Sequence, residues 1–101
     1  MDFAEYTFEA VSRLESVLKD NEKECQLEID NPRAQPDLKY VRRSLDYIES
    51  EFPGVVTSVS RAFTPELKAL GTNKVDLMKR VQSCGPLSAR VEKLYGQAMR
   101  Q

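Results

Sequence analysis

Eight apolar positions, Leu38, Val41, Leu45, Ile48, Phe52, Val55, Val59 and Ala62, recur at strictly alternating spacings of three and four residues. That period is the apolar edge of an α-helix, and an alternation without a slip is what a bundle or coiled-coil seam requires. A helix with one such edge needs neighbours to cover it, because packing rather than propensity supplies most helical stability. Pro53 and Gly54 fall inside the seam. Proline in a helix interior removes a backbone hydrogen bond and crowds the preceding turn, at a cost of about 3 kcal/mol, yet the apolar register is the same on both sides. The expectation is a kink or brief break with both halves facing one core; two helices meeting at a corner is the alternative.

Two further stretches carry helical edges. Phe3, Ala4, Thr7, Ala10, Val11, Leu14, Val17, Leu18 and Cys25 form one stripe, which predicts a first helix over about 2 to 29. Its i,i+4 pairs, Glu9 with Arg13 and Glu15 with Lys19, are each worth only about 0.2–0.5 kcal/mol, so the stripe holds the helix in place. A loop rich in proline and polar residues follows from Asp30 to Asp37, with Pro36 suited to the first helical position and Asp37 to the positive first turn. The second helix is therefore expected over 36 to 63.

Thr64-Pro65-Glu66 combines a capping hydroxyl, an early proline and an early acid, a strong helix start. Gly71-Thr72-Asn73 can end that turn and begin another, with Asn73 as cap, and Gly85-Pro86 interrupts the next segment before Leu87, Val91, Leu94, Tyr95 and Ala98 resume one face. Residues 65 to 101 read as one long interrupted helix or as three short ones. No stop signal closes the end at Met99-Arg100-Gln101, so the chain reads as the N-terminal module of a longer protein.

Charge is distributed unevenly. The first thirty residues hold nine acids against three bases, a net of −6, whereas residues 61 to 101 hold eight bases against three acids, a net of +5. The overall net charge of −1 argues against the uniformly basic surface of a dedicated nucleic-acid binder. No window approaches the ~18 uncharged apolar residues of a membrane span, and Met1-Asp2 is not the basic start of a secretory signal. With two cysteines, too few for a disulfide scaffold, the chain is read as soluble and cytoplasmic. A length of 101 residues, 41% of them apolar, fits a single domain with one core.

Histidine is absent, which removes Ser-His and Cys-His nucleophile pairs and histidine metal sites. The four glycines are scattered and form no phosphate-binding loop. Glu22, Glu24 and Glu28 match no spaced calcium loop and read as a solvated helical face. Ser83-Cys84-Gly85-Pro86 sets a thiol at an expected helix start, but the second cysteine of a redox pair is missing, and Leu87 follows the proline. Cys84 and Cys25 both read as structural thiols, at similar heights in a bundle. No cofactor and no enzymatic activity is expected.

The expected architecture is all-α: an antiparallel, up-down-up three-helix bundle with kinks or breaks near Pro53, Gly71 and Gly85. In that topology the acidic first helix lies beside the basic third, and opposite charge across the edge helps specify which helices pair. Tyr40 and Tyr47, seven residues apart with Arg43 between them, mark a candidate protein-contact edge; Arg90 and Lys93 are the candidate partner-binding bases of the last third. Tyr6 and Phe8 fall off the first stripe, with Phe8 expected to widen the buried face and Tyr6 to lie half-exposed. The function expected is a non-enzymatic interaction or regulatory module (adaptor, scaffold or complex subunit) whose partner is a protein offering an amphipathic helix; a seam this regular is also open to homodimerisation. Nucleic-acid association through the basic C-terminal third is the disfavoured alternative. In length and architecture the chain is similar to the three-helix regulatory domains of vesicle-fusion SNARE proteins and to small subunits of tethering complexes, with no shared motif.

Overall fold

A computed structural model describes residues 2–31 and 38–100, and among them all regular structure is helical. The elements are α1 (Phe3–Asp30), α2 (Leu38–Arg61), α3 (Thr64–Ala69) and α4 (Lys74–Met99), packed against one another in a body of 49 × 19 × 19 Å. The expectations for Pro36 and Asp37 lie outside the described residues.

Local chemistry sets the ends. Asp2 caps α1 by accepting the Glu5 backbone N–H at 2.8 Å, and Asn73 caps α4 by accepting from Asp76 N–H at 2.9 Å, as an Asx side chain does for orphan donors. Thr64 does not act as the expected capping hydroxyl: it is the first residue of α3, and the capping position falls to Phe63, which makes no side-chain cap. Pro65 still occupies the first turn, where its missing N–H costs nothing. α3 closes on Gly71 at φ 77, with Gly71 N–H donating to Lys68 O at 3.0 Å and Thr72 N–H to Leu67 O at 3.1 Å. These two bonds form a Schellman closure, which needs a left-handed residue and so favours glycine.

The expected interruption near Gly71 is present, but α2 runs unbroken through Pro53 and α4 through Gly85-Pro86. Both prolines are exposed, and the carbonyls they leave without a helical donor, of Glu49 and Gln82, belong to exposed residues that water can reach. The seam therefore continues past each proline. The last third is neither one interrupted helix nor three short ones; it is a single turn-and-a-half followed by one long helix.

The seam is inside: Val41, Leu45, Ile48, Val55, Val59 and Ala62 are buried, with Leu38 and Phe52 partly so. They pack with Leu14 and Leu18 of α1, Leu67 of α3, and Leu77, Val81 and Val91 of α4 in one cluster. Each such side chain contributes about 1.5–3 kcal/mol relative to exposure. Two polar side chains are buried among them without a hydrogen-bonding protein partner, Thr7 and Asn21.

Ion pairs cross between the helices in a consistent register. Arg80 of α4 reaches Glu15 of α1, its Nε donating at 3.0 Å, and also donates to Ser12 Oγ at 3.2 Å, while Arg90 reaches Glu22 at 2.6 Å. Those contacts advance together along α1 and α4. Between α2 and α4 they run oppositely, since Arg42 at the start of α2 bonds Glu92 late in α4 at 2.7 Å, while Lys74 at the start of α4 donates to the Ser60 carbonyl at 2.9 Å. The acidic and basic thirds of the chain thus meet along α1 and α4.

Candidate partner-binding groove

The edge between α1 and α2 carries aromatic and basic side chains outside the core. On α2, a seven-residue step returns to nearly the same angle, so Tyr40 and Tyr47 project on one flank with Arg43 between them. In the structure these three line a shallow depression with Ser44 and with Val17 of α1. Tyr47 also lines the adjoining depression, about 160 Å³, together with Tyr6, Ala10, Arg13 and Leu14 of α1 and Glu51, Gly54, Val55 and Ser58 of α2. The two form one strip, from Tyr6 at the start of α1 to Tyr40 at the start of α2. Tyr40 to Ser58 spans 18 residues, about 27 Å of helix.

The tyrosines are half exposed, at 53% for Tyr6, 44% for Tyr47 and 51% for Tyr40, so each side chain, apolar ring with a polar tip, is about half open to contact. Arg43 and Arg13 are exposed and make no ion pair among the described residues, whereas Arg42 and Arg80 are committed to carboxylates. Phe8 packs partly buried against the core, under the Arg80 guanidinium at 5.3 Å. Tyr6 and Phe8 thus lie as their positions suggest, one at the rim and one inside. Sequence reasoning missed Arg13 and Val17 as members of the strip. Their shared edge was legible, because Tyr6, Ala10, Arg13 and Val17 repeat a 4-3-4 helical spacing beside the core stripe, but which helix that edge faces was not.

Arg90 and Lys93 do not join this strip. Both are exposed on α4, and Arg90 turns to Glu22 at the α1–α4 edge. The structure brings together Tyr40, Arg43 and Tyr47 and leaves the two C-terminal bases elsewhere.

No arrangement here is set up for thiol or metal chemistry among the described residues. Cys25 and Cys84 are free and buried. Burial pushes the Cys84 thiol up, Glu15 adds to the rise, and Arg80 and Lys19 oppose it; Cys25 is raised by burial and then by Glu24. A raised thiol is the opposite of an activated one. The α1–α4 register, 15 with 80 and 22 with 90, sets Cys84 level with about residue 18. That is seven residues or about 10 Å below Cys25, so the similar heights expected for the two thiols are not found. No group of three or more acidic or thiol side chains is placed to hold a metal ion, and no helix is long and apolar enough to cross a membrane, among the described residues. No protein-family model matches the chain, and no curated protein or solved structure is similar to it.

Proposed function

We propose that the chain is a non-enzymatic protein-interaction or regulatory module, with α1, α2 and α4 as an up-down-up bundle in one domain. Its partner is a protein that lays an amphipathic helix along the α1–α2 strip. The observation that carries this reading is the gathering of Tyr6, Tyr47 and Tyr40 with Arg13 and Arg43 along one continuous edge. Tyrosine supplies large contact area at low entropic cost, and both tyrosine and arginine recur at the energetic centres of interfaces. A length of about 27 Å accepts some five turns of helix. The two unpaired arginines favour a partner helix with acids flanking its apolar face. The same charge assignment weighs against a polyanion partner, because Arg80 and Arg90 of the basic third already serve α1.

A photo-crosslinking amino acid placed at Tyr47 tests the reading in cells that express the full protein, with the same probe at the exposed Lys68 of α3 as the off-strip control. The expected result is one dominant adduct from position 47, mapping to a helical segment of a single protein and lost when Arg43→Glu is added. Equal adducts from both positions, or none from position 47, would refute the assignment of the strip.

A further inference from the structure

The Thr64-Pro65 pair, a helix start by its sequence, carries a hydroxyl that the fold does not use. Thr64 is exposed, Phe63 holds the capping position without a side-chain bond, and Thr64 Oγ1 makes no hydrogen bond among the described residues. Its place in the chain separates it from the other aliphatic hydroxyls. All eight serines, with Thr7 and Thr57, lie within the long helices α1, α2 and α4. Three of them, Thr57, Ser60 and Ser83, donate to the carbonyl four residues back. Among the described residues only Thr64 and Thr72 lie between α2 and α4, and of these only Thr64 precedes a proline.

A protein kinase binds its acceptor segment extended, so a hydroxyl inside a long helix reaches a kinase cleft only after several turns have melted. At Thr64 that condition is nearly met. Phe63 is already extended, at φ −77 and ψ 120, and a proline biases the residue before it toward the same region. The helix beyond, α3, has six residues and one buried side chain, Leu67. A helix so short has little stability of its own and opens at low cost. Proline at the next position defines the enzyme class, since proline-directed kinases accept there a residue with no N–H to satisfy. Lys68 stands one turn after Thr64, exposed and in no ion pair among the described residues. Arg61 ends α2 before the break, so Lys68 is the base that α3 itself carries.

We infer that Thr64 is the acceptor of a proline-directed protein kinase, and that the phosphate it receives pairs with Lys68 and tightens α3. In the transfer, Thr64 Oγ1 bonds to the γ-phosphorus of ATP and the bond from that phosphorus to the β,γ-bridging oxygen breaks. ADP leaves with the electron pair, and the hydroxyl proton passes to the kinase's catalytic base. The product carries about −1.5 to −2 charge at pH 7, and an anion four residues ahead of a lysine is the favourable order for a helical pair. No residue of the tyrosine strip takes part, so this modification and partner binding are separate properties.

The test treats the folded full chain with a recombinant mitogen-activated protein kinase and Mg-ATP, and reads intact mass and fragment masses. One phosphate is expected, on Thr64. Thr64→Val, which keeps the side-chain shape, should accept none, and Pro65→Ala should be phosphorylated more slowly by roughly tenfold or more. Circular dichroism of each variant separates loss of the site from loss of the fold. No phosphate on the wild type, a phosphate elsewhere, or equal rates for wild type and Pro65→Ala would each overturn the site. Amide exchange by NMR reads the pairing, because Gly71 and Thr72 N–H close α3 on the Lys68 and Leu67 carbonyls. Phosphorylation should slow exchange at both by about twofold, and Lys68→Gln should abolish the slowing. Unchanged exchange in the phosphorylated wild type, or equal slowing in Lys68→Gln, would overturn the role given to Lys68.

Discussion

Asn21 gives the sharpest test of the core. It is 0% exposed in α1, and neither Oδ1 nor Nδ2 finds a hydrogen-bonding protein partner. An amide transferred from water to such a site without compensation costs about 1–3 kcal/mol on protein mutational scales. Leucine has the same branching as asparagine, a γ-carbon with two terminal atoms, so Asn21→Leu keeps the shape and removes both stranded groups. Slightly larger methyls cost less than about 1.5 kcal/mol in a near-isosteric exchange, which their own burial, about 0.8 kcal/mol for each, offsets. The variant is therefore expected to be more stable than wild type by about 1–3 kcal/mol. For a chain of this size that corresponds to a rise of about 4–8 °C in Tm per kcal/mol.

Urea denaturation followed by circular dichroism at 222 nm measures this directly. The midpoint should rise with an unchanged slope, because the surface exposed on unfolding is nearly the same. An unchanged midpoint would mean that the amide costs nothing where it sits. A fall of 1 kcal/mol or more would show that it is hydrogen-bonded in solution through a bound water. Either result refutes the reasoning from an unpartnered amide.

Three further outcomes are expected. Gly71→Ala should lose about 1–2 kcal/mol in the same assay although open space surrounds a Cβ there, because the left-handed φ of 77 alone carries the penalty. A double-mutant cycle of Glu15→Gln and Arg80→Met should give a coupling of about 1 kcal/mol that shrinks in 1 M salt, the pair being partly exposed. Burial holds both thiols protonated, so the folded chain binds those protons more tightly than the unfolded one; the stability they contribute is complete below the unfolded thiol pKa of about 8.5 and is lost as pH rises above it. The urea midpoint should therefore fall from pH 8 to pH 10 more steeply in wild type than in a Cys25→Ala, Cys84→Ala chain, and a parallel decline in the two would refute it.

What the sequence made legible was whatever depends on periodicity. The three-four spacing from Leu38 to Ala62 located α2 and named its buried apolar positions, and the stripe from Phe3 to Cys25 did the same for α1 except at Phe3, which is exposed, and at the buried Asn21, which a search for apolar residues passes over. At the prolines the expected single apolar register holds while the expected brief break does not, because a rule about helix interiors takes no account of which way the residue faces. Pro53 and Pro86 point to solvent, where the unpaired carbonyl is hydrated and the apolar register can pass by. Thr64 was misplaced by one position, within the one or two residues by which a helix end shifts without a side-chain cap to fix it. The tyrosine strip was half legible: Tyr40, Arg43 and Tyr47 share one helix and hence one period, but Tyr6, Arg13 and Val17 enter through the α1–α2 register, which no single-helix pattern contains.

Charge is where the two levels connect. A net of −6 and a net of +5 at opposite ends of the chain would, on a rigid rod, make a strong dipole open to any polyion. Folding brings the thirds side by side, and Glu15–Arg80 and Glu22–Arg90 each neutralise one charge from each third. Individually such pairs are worth little, but reversing either helix against the other would set the Glu15 and Glu22 carboxylates away from their arginines, so the gradient selects the pairing more than it stabilises it. Among the charged side chains outside those pairs, Arg13 and Arg43 flank the tyrosines of the α1–α2 strip, and a partner can use them for the same end: to set orientation once apolar area has supplied the affinity.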